Sequence, residues 1–290
     1  MSLFVSQLFN GLQTGSVYAL VALGYSMVYG IILLLNFAHG DIIMVGAYTA
    51  FYAMTAFHLH PIFSVVLAVI TSTLLGVVIE KVAYTPLRSA PRLSLLITAI
   101  GISFLLENGA QLLFGADTKS MDTLVPGNVT FGPVTVSYTA ILTIIVAVIA
   151  MVALTLLVQK TKLGKAMRAV PQDKDASTLV GINVNKIITT TFAIGSGLAA
   201  VAALMYCATY PRVTNDMGSM MGMKAFIAAV LGGIGIIPGA MLGGILIGLI
   251  EIFVKLFAPG WYEAVTYGTL IVILLVKPSG ILGKNVGEKV

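Results

Sequence analysis

The chain is a series of apolar runs about twenty residues long, separated by short polar turns. Wound as α-helix, ~20 residues cross the hydrocarbon core of a bilayer. The first run extends from about Leu8 to Leu35, long for one crossing, which predicts a tilt or a break near Gly24 or Gly30. Asn36-Phe37-Ala38-His39-Gly40-Asp41 interrupts it. Further spans are expected over Ile42–Phe57, from Pro61 to near Glu80, and over Leu93–Phe114, Ser137–Val158 and Ile187–Thr209. The stretch Ala225–Ile250 is free of charge but rich in glycine. Pro238 should break it into two helices or a re-entrant turn, a break tolerated at membrane depth only where backbone is buried or lines a cavity. A last span, about Ala264–Val276, is closed by Lys277-Pro278. The expectation is an all-α polytopic membrane protein of eight or nine transmembrane helices, in which residues 1–290 form one transmembrane domain. Long unbroken runs exclude a β-barrel, whose strands alternate at a period of two.

Composition agrees, with 58% hydrophobic and only 9% charged residues against about a quarter charged in soluble domains. The net charge of +5 does not argue for nucleic acid, because basic residues in such a chain belong to cytoplasmic loops. Segments 81–92, 160–186 and 277–290 carry three, six and three of the 16 Lys and Arg, so they are read as cytoplasmic. The loop at 115–137 holds Lys119 against Asp117 and Asp122 and is read as external. Within it, Val134-Thr135-Val136 alternates like a strand of a small hairpin. The side of the N-terminus stays open, and the first residues lack the basic region of a signal peptide.

Charge concentrates in one place. Eight charged residues lie between Lys160 and Lys186, flanked by charge-free sequence from Asp122 to Lys160 and from Lys186 to Arg212. A solvated positive anchor would need only the lysines. The segment has more: a short amphipathic helix over Gly164–Ala169, including Lys165 and Arg168, ends at Pro171. After Asp173 and Asp175, which suit a helix N-terminus, Ala176, Leu179, Val180 and Ile182 make an apolar stripe. An apolar face outside the membrane calls for a cover, and a docked soluble partner would supply one.

Catalytic patterns are absent. No G-x-x-x-x-G-K-[ST] or H-E-x-x-H is spelled. His58-x-His60 has no further ligand nearby, so no metal site is expected. Gly195-Ser196-Gly197 reads as helix packing, and Cys207 as a buried apolar residue. Ionisable residues at membrane depth are functional candidates. Asp41 either caps the second span or, with Asn36 and His39, lines the inner mouth of a pathway. Glu107 shares a face with Gln111, for packing or for a path. Glu251 and Lys255, four apart, suit a local ion pair.

The residues also carry a family resemblance. Asp175-Ala176-Ser177-x3-Gly181 resembles, in degenerate form, the E-A-A-x3-G core of the cytoplasmic loop of ABC importer permeases. Asn10-Gly11…Gly15-Ser16-x-Tyr18-Ala19-Leu20, Asn36 to Asp41, Gly164-x-x-Met167-Arg168-Ala169, Ala176…Gly181-Ile182, the 232–244 glycines and Lys277-Pro278-x-Gly280 are similar to the LivH-type permease of branched-chain amino acid importers. The resemblance spans essentially the whole chain. It implies a type II ABC importer-like fold in a bacterial inner membrane, with four partners or partner types: a second, LivM-type permease, two cytoplasmic ATPases, a periplasmic binding protein and the bilayer. This chain would hold no cofactor, ATP and Mg being bound by the ATPases. Gly164, Lys165, Arg168, Asp175, Ala176, Leu179 and Gly181 would couple it to them, and the loops at 115–137 and 210–222 would meet the binding protein. Related permeases serve urea or short amides, which remain alternatives to leucine, isoleucine and valine. A stand-alone secondary transporter or channel should show paired broken helices, and one late broken region is seen.

Overall fold

The computed structural model describes residues 2–33, 36–88, 90–121, 125–132 and 134–283. The expected end of the first span at Leu35, Asp122 and the tail lysines Lys284 and Lys289 lie outside the described residues. The chain is helical almost throughout. In order come α1 (Ser2–Ile32), α2 (His39–Thr55), α3 (Pro61–Ile79) continuing into a π-turn (Glu80–Tyr84), and α4 (Arg92–Phe114). Then follow β1 (Lys119–Ser120), β2 (Asn128–Phe131), β3 (Val134–Ser137), α5 (Tyr138–Lys160), α6 (Lys162–Ala169) and α7 (Lys174–Leu179). The chain closes with α8 (Val184–Thr209), β4 (Arg212–Val213), α9 (Met217–Gly232), α10 (Ile237–Phe257) and α11 (Tyr262–Val276).

Among the described residues, seven helices are long and apolar enough to cross a membrane. The expected count of eight or nine would require the shorter helices α2, with 17 residues, and α9, with 16, to cross as well. Of the two alternatives for the first span, tilt or break, the break does not occur: α1 is one unbroken helix of 31 residues, roughly 46 Å at 1.5 Å per residue. Gly24 and Gly30 serve contact instead. Gly24 faces the His39 ring and Gly30 faces Gly235.

Close approach through small residues assembles the core. Gly11 and Gly15 of α1 meet Gly248, Leu249 and Ile245 of α10, and Gly244 lies on Ala19. Gly243 of α10 packs on Ala228 of α9, while Gly40 of α2 packs on Gly218 and Gly222 of α9. Without lipid-driven hydrophobic pressure, this tight backbone contact is what holds membrane helices together. The glycine-rich stretch does break, into α9 and α10, but just before Pro238, which is the second residue of α10; the turn between them carries Gly233 (φ 108°) and Gly235 (φ 86°).

Both ends of α1 locate the two faces. Val5 and Phe9 pack on Val134, Val136 and Ala140 of the β3–α5 corner, whereas Ile31 packs with Met167, Val170 and Ile187 of the basic segment. The N-terminal end of α1 therefore shares the side of the 115–137 loop. On that side the expected hairpin forms, β2 antiparallel to β3 with Val129 opposite Val136. β1 also pairs with β4, which joins this loop to the 210–216 turn. On the other side, the N–H of Ile281 and of Leu282 donate to the carbonyls of Leu231 (2.8 Å) and Gly232 (3.0 Å), so the 233–236 turn and the tail after α11 lie together.

Candidate functional site

The 160–186 segment folds into two short helices at the inner ends of α5 and α8. Thr161 opens α6, its Oγ1 accepting the Gly164 N–H at 2.9 Å. Asp173 opens α7, its Oδ1 accepting the N–H groups of Asp175 and Ala176, both at 2.9 Å. Gly181 (φ 85°) ends α7. Its N–H donates to Thr178 and the Ile182 N–H to Ser177, each at 3.0 Å, the paired bonds that close a helix on a left-handed residue. Met167 and Val170 are buried against Ile31 and Ile187 and fix the segment to the spans. Gly164 is buried against the end of α5, while Lys165, Arg168, Asp175 and Ala176 are exposed. Leu179 is 88% and Val180 76% exposed. The expected stripe is corrected at one position: past Gly181 the chain turns, and Ile182 packs inward with the Met167 cluster.

Beside this segment lies a buried anchor that sequence reasoning missed. Glu80, fully buried at the inner end of α3, pairs with Arg88 and accepts hydrogen bonds from Thr85 (2.7 Å) and Thr189 (2.8 Å). Arg88 also donates to Asn185 on the first turn of α8. The 81–92 turn is thus tied to the helix that leaves α7.

The Asn36–Asp41 segment sits deep. His39 packs edge-on against Tyr25 at 4.7 Å and touches Gly24 and Gly195, residues well inside α1 and α8. The start of α2 therefore lies in the interior. Asn36 accepts a hydrogen bond from Tyr84 at 3.0 Å. The capping role for Asp41 is corrected: Ala38 is the N-cap, without a side-chain bond, and Asp41 is the third residue of α2. It is 0% exposed, and neither carboxylate oxygen has a hydrogen-bond partner among the described residues. On α4, Ser103 and Glu107 are the polar side chains that face Asp41. Glu107 is half-buried and faces Asp41 where α4 meets α2, while Gln111 is exposed.

A second buried acid is paired. Glu251 of α10 receives Lys224 at 2.9 Å, Lys255 at 2.5 Å and the Tyr18 hydroxyl at 2.8 Å. Tyr262 lies under both lysines, 5.2 and 4.3 Å from their Nζ atoms. The sequence showed the Glu251–Lys255 half. Lys224, a lone charge in the apolar run that becomes α9, was the overlooked signal. Among the described residues no cluster of three or more His, Cys, Asp or Glu could hold a metal. His60 instead caps α3, its Nδ1 accepting the Ile62 N–H.

Comparison with known proteins gives a consistent picture. Residues 7–275 match the family described as branched-chain amino acid transport system / permease component. The chain is 46% identical to the high-affinity branched-chain amino acid transport system permease protein BraD of Pseudomonas aeruginosa, over 99% of this chain and 98% of that one. It is 41% identical to the permease protein LivH of Escherichia coli, over 99% and 98%, and 27% identical to a probable LivH of Methanocaldococcus jannaschii, over 91% and 88%. No solved structure matches.

Proposed function

This chain belongs to the family of permease components of branched-chain amino acid transport systems, and from that membership we propose that it forms, with a second permease of the LivM type, the membrane path of an ATP-binding-cassette importer for leucine, isoleucine and valine. It is a multi-pass protein of the bacterial inner membrane. In this reading it hydrolyses nothing. ATP and Mg are bound by two cytoplasmic ATPase subunits, and a periplasmic binding protein docks on the joined outer loops at 115–137 and 210–222.

Coupling runs through α7. The observation that carries this reading is the pair Leu179 and Val180, 88% and 76% exposed at the C-terminal end of α7, which is capped at both ends and follows α6, itself anchored through Met167. Apolar side chains held rigidly in water are suited to a partner's groove. Gly164, Lys165, Arg168, Asp175 and Ala176 lie along the same segment and complete the contact. When the ATPases close on ATP, force on α7 passes through Met167 to α1 and through Ile187 to α8. The spans then exchange outward- and inward-open packings, biased by the partners.

Leu179→Asp tests it. The side chain meets solvent, so the variant should insert and fold normally. Leucine uptake by cells carrying the whole importer should fall at least tenfold, and the ATPases should no longer co-purify with the permease pair. Uptake and co-purification at the unmutated level would remove the coupling role.

A further inference from the structure

Asp41 is a buried carboxylate without a partner. It is 0% exposed, and both its oxygens lack a hydrogen bond among the described residues. Such a group is expensive to bury, and it occurs in native structures for a reason that has to be found. Part of the reason is local. Asp41 lies in the first turn of α2, where the helix dipole favours negative charge. That does not satisfy its oxygens.

Next to it is a space. A cavity of about 260 Å³ is walled by Tyr25 of α1, Phe37, Ile100 and Ser103 of α4, and Met223 and Phe226 of α9. Tyr25 and Ser103 border both this cavity and the carboxylate. A cavity of about 150 Å³ is enough to hold benzene, so this volume takes a molecule the size of a small amino acid. Its walls are mainly apolar. Asp41 does not line it; the carboxylate lies behind Tyr25 and Ser103, the polar residues of the wall.

We propose that Asp41 receives the ammonium group of an aliphatic amino acid in transit, while the walls formed by Phe37, Ile100, Met223 and Phe226 take its side chain. The proposal rests on the importer reading above and adds to it a residue-level substrate site. A permanent cationic partner, of the kind Glu251 has, would occupy the site and block release. A carboxylate without a permanent partner can take a cation that arrives and departs, once Tyr25 and Ser103 shift to admit it. The apolar walls select a branched aliphatic side chain over a charged one, since a second charge placed there would be desolvated without compensation. Met223 is 43% and Ile100 37% exposed in this chain, so the cavity opens to the outside of the bundle between α4 and α9.

The test uses membrane vesicles carrying the complete importer without the binding protein, with Met223→Cys as a reporter. The native Cys207 is fully buried and stays silent to a maleimide. Leucine at millimolar concentration should slow alkylation of the reporter severalfold. 4-Methylpentanoate, which has leucine's skeleton without the ammonium, should not. Asp41→Asn should abolish protection by leucine. Equal protection by 4-methylpentanoate, protection that survives Asp41→Asn, or no protection by leucine in vesicles that accumulate it once the binding protein is added overturns the proposal. The leucine against 4-methylpentanoate comparison needs no change at Asp41, so misfolding of that variant does not blunt it. Vesicles in which the unmutated importer, supplied with its binding protein, fails to accumulate leucine would refute the importer reading instead.

Discussion

Of the three carboxylates buried among the described residues, Glu80, Asp41 and Glu251, the last two are treated in opposite ways. Glu251 is 1% exposed and surrounded by two lysines and a tyrosine hydroxyl, every partner within 3 Å. Asp41 is 0% exposed, and its oxygens make no hydrogen bond among the described residues, although the Ser103 hydroxyl of α4 is turned toward them. Both belong to helices assembled by glycine contacts. Gly248, one turn before Glu251, lies on Gly15, one turn before Tyr18, so the α1–α10 contact itself delivers the phenol to the acid. Gly40, adjacent to Asp41, lies on Gly218 and Gly222 in the same manner, but nothing on α9 reaches back to the carboxylate. A satisfied buried charge is a strut, and its worth is read as stability. An unsatisfied one is a cost to the fold, and its worth is read as binding.

The contrast is broken most directly at Glu251. Replacing it by leucine leaves Lys224, 5% exposed, as a buried cation without its acid. Removal of one member of a buried pair typically costs about 3–5 kcal/mol. The expected outcome is a large fall in the melting temperature of the importer in detergent. Lys255, with 35% of its side chain exposed, can turn to water and adds little to that loss. Adding Lys224→Met to Glu251→Leu removes the stranded charge, so most of the lost stability should return. A double variant as unstable as the single one would show that the cluster acts through shape and not through charge.

Tyr18→Phe is the milder cut. It deletes one hydrogen bond to a charged acceptor and leaves the ring in place, at a cost of about 1.5–3 kcal/mol. The same thermal measurement reads it. A shift as large as that of Glu251→Leu would mean that the phenol, not the lysines, holds the acid.

Sequence reading reached one side of this comparison and half of the other. Asp41 stood out because it is the only charge in residues 1–79, but its role as a cap was misjudged. Nothing local reveals that the chain after α1 turns back into the interior, so that α2 starts against Gly24 and Gly195. Glu251 and Lys255 are four apart on one helix and were legible as a pair. Lys224 and Tyr18 come from α9 and α1, and only the tertiary contacts made by Gly243, Gly244 and Gly248 bring them together. Helix boundaries were legible because apolar length, caps and the glycine–proline break are all encoded locally. The expected end of α8 at Thr209 and the helix pair around Pro238 both stand. The inward turn of Ile182 was not legible, since it depends on the satellite cluster around Met167.

The smallest expected effect on stability is also the sharpest discriminator. Asp41→Asn keeps the shape of the side chain and removes its charge. A buried carboxylate without hydrogen bonds pays its full desolvation cost, and a neutral amide pays much less. The melting temperature should therefore hold or rise, by the equivalent of at most about 1 kcal/mol, opposite in sign to the loss at Glu251. Leucine added at a hundred times its dissociation constant should stabilise the unmutated protein by about 2.7 kcal/mol through mass action and leave the Asp41→Asn variant where it was. A fall of several kcal/mol on Asp41→Asn without ligand would make Asp41 a strut like Glu251. The two acids would then differ in their partners and not in their purpose.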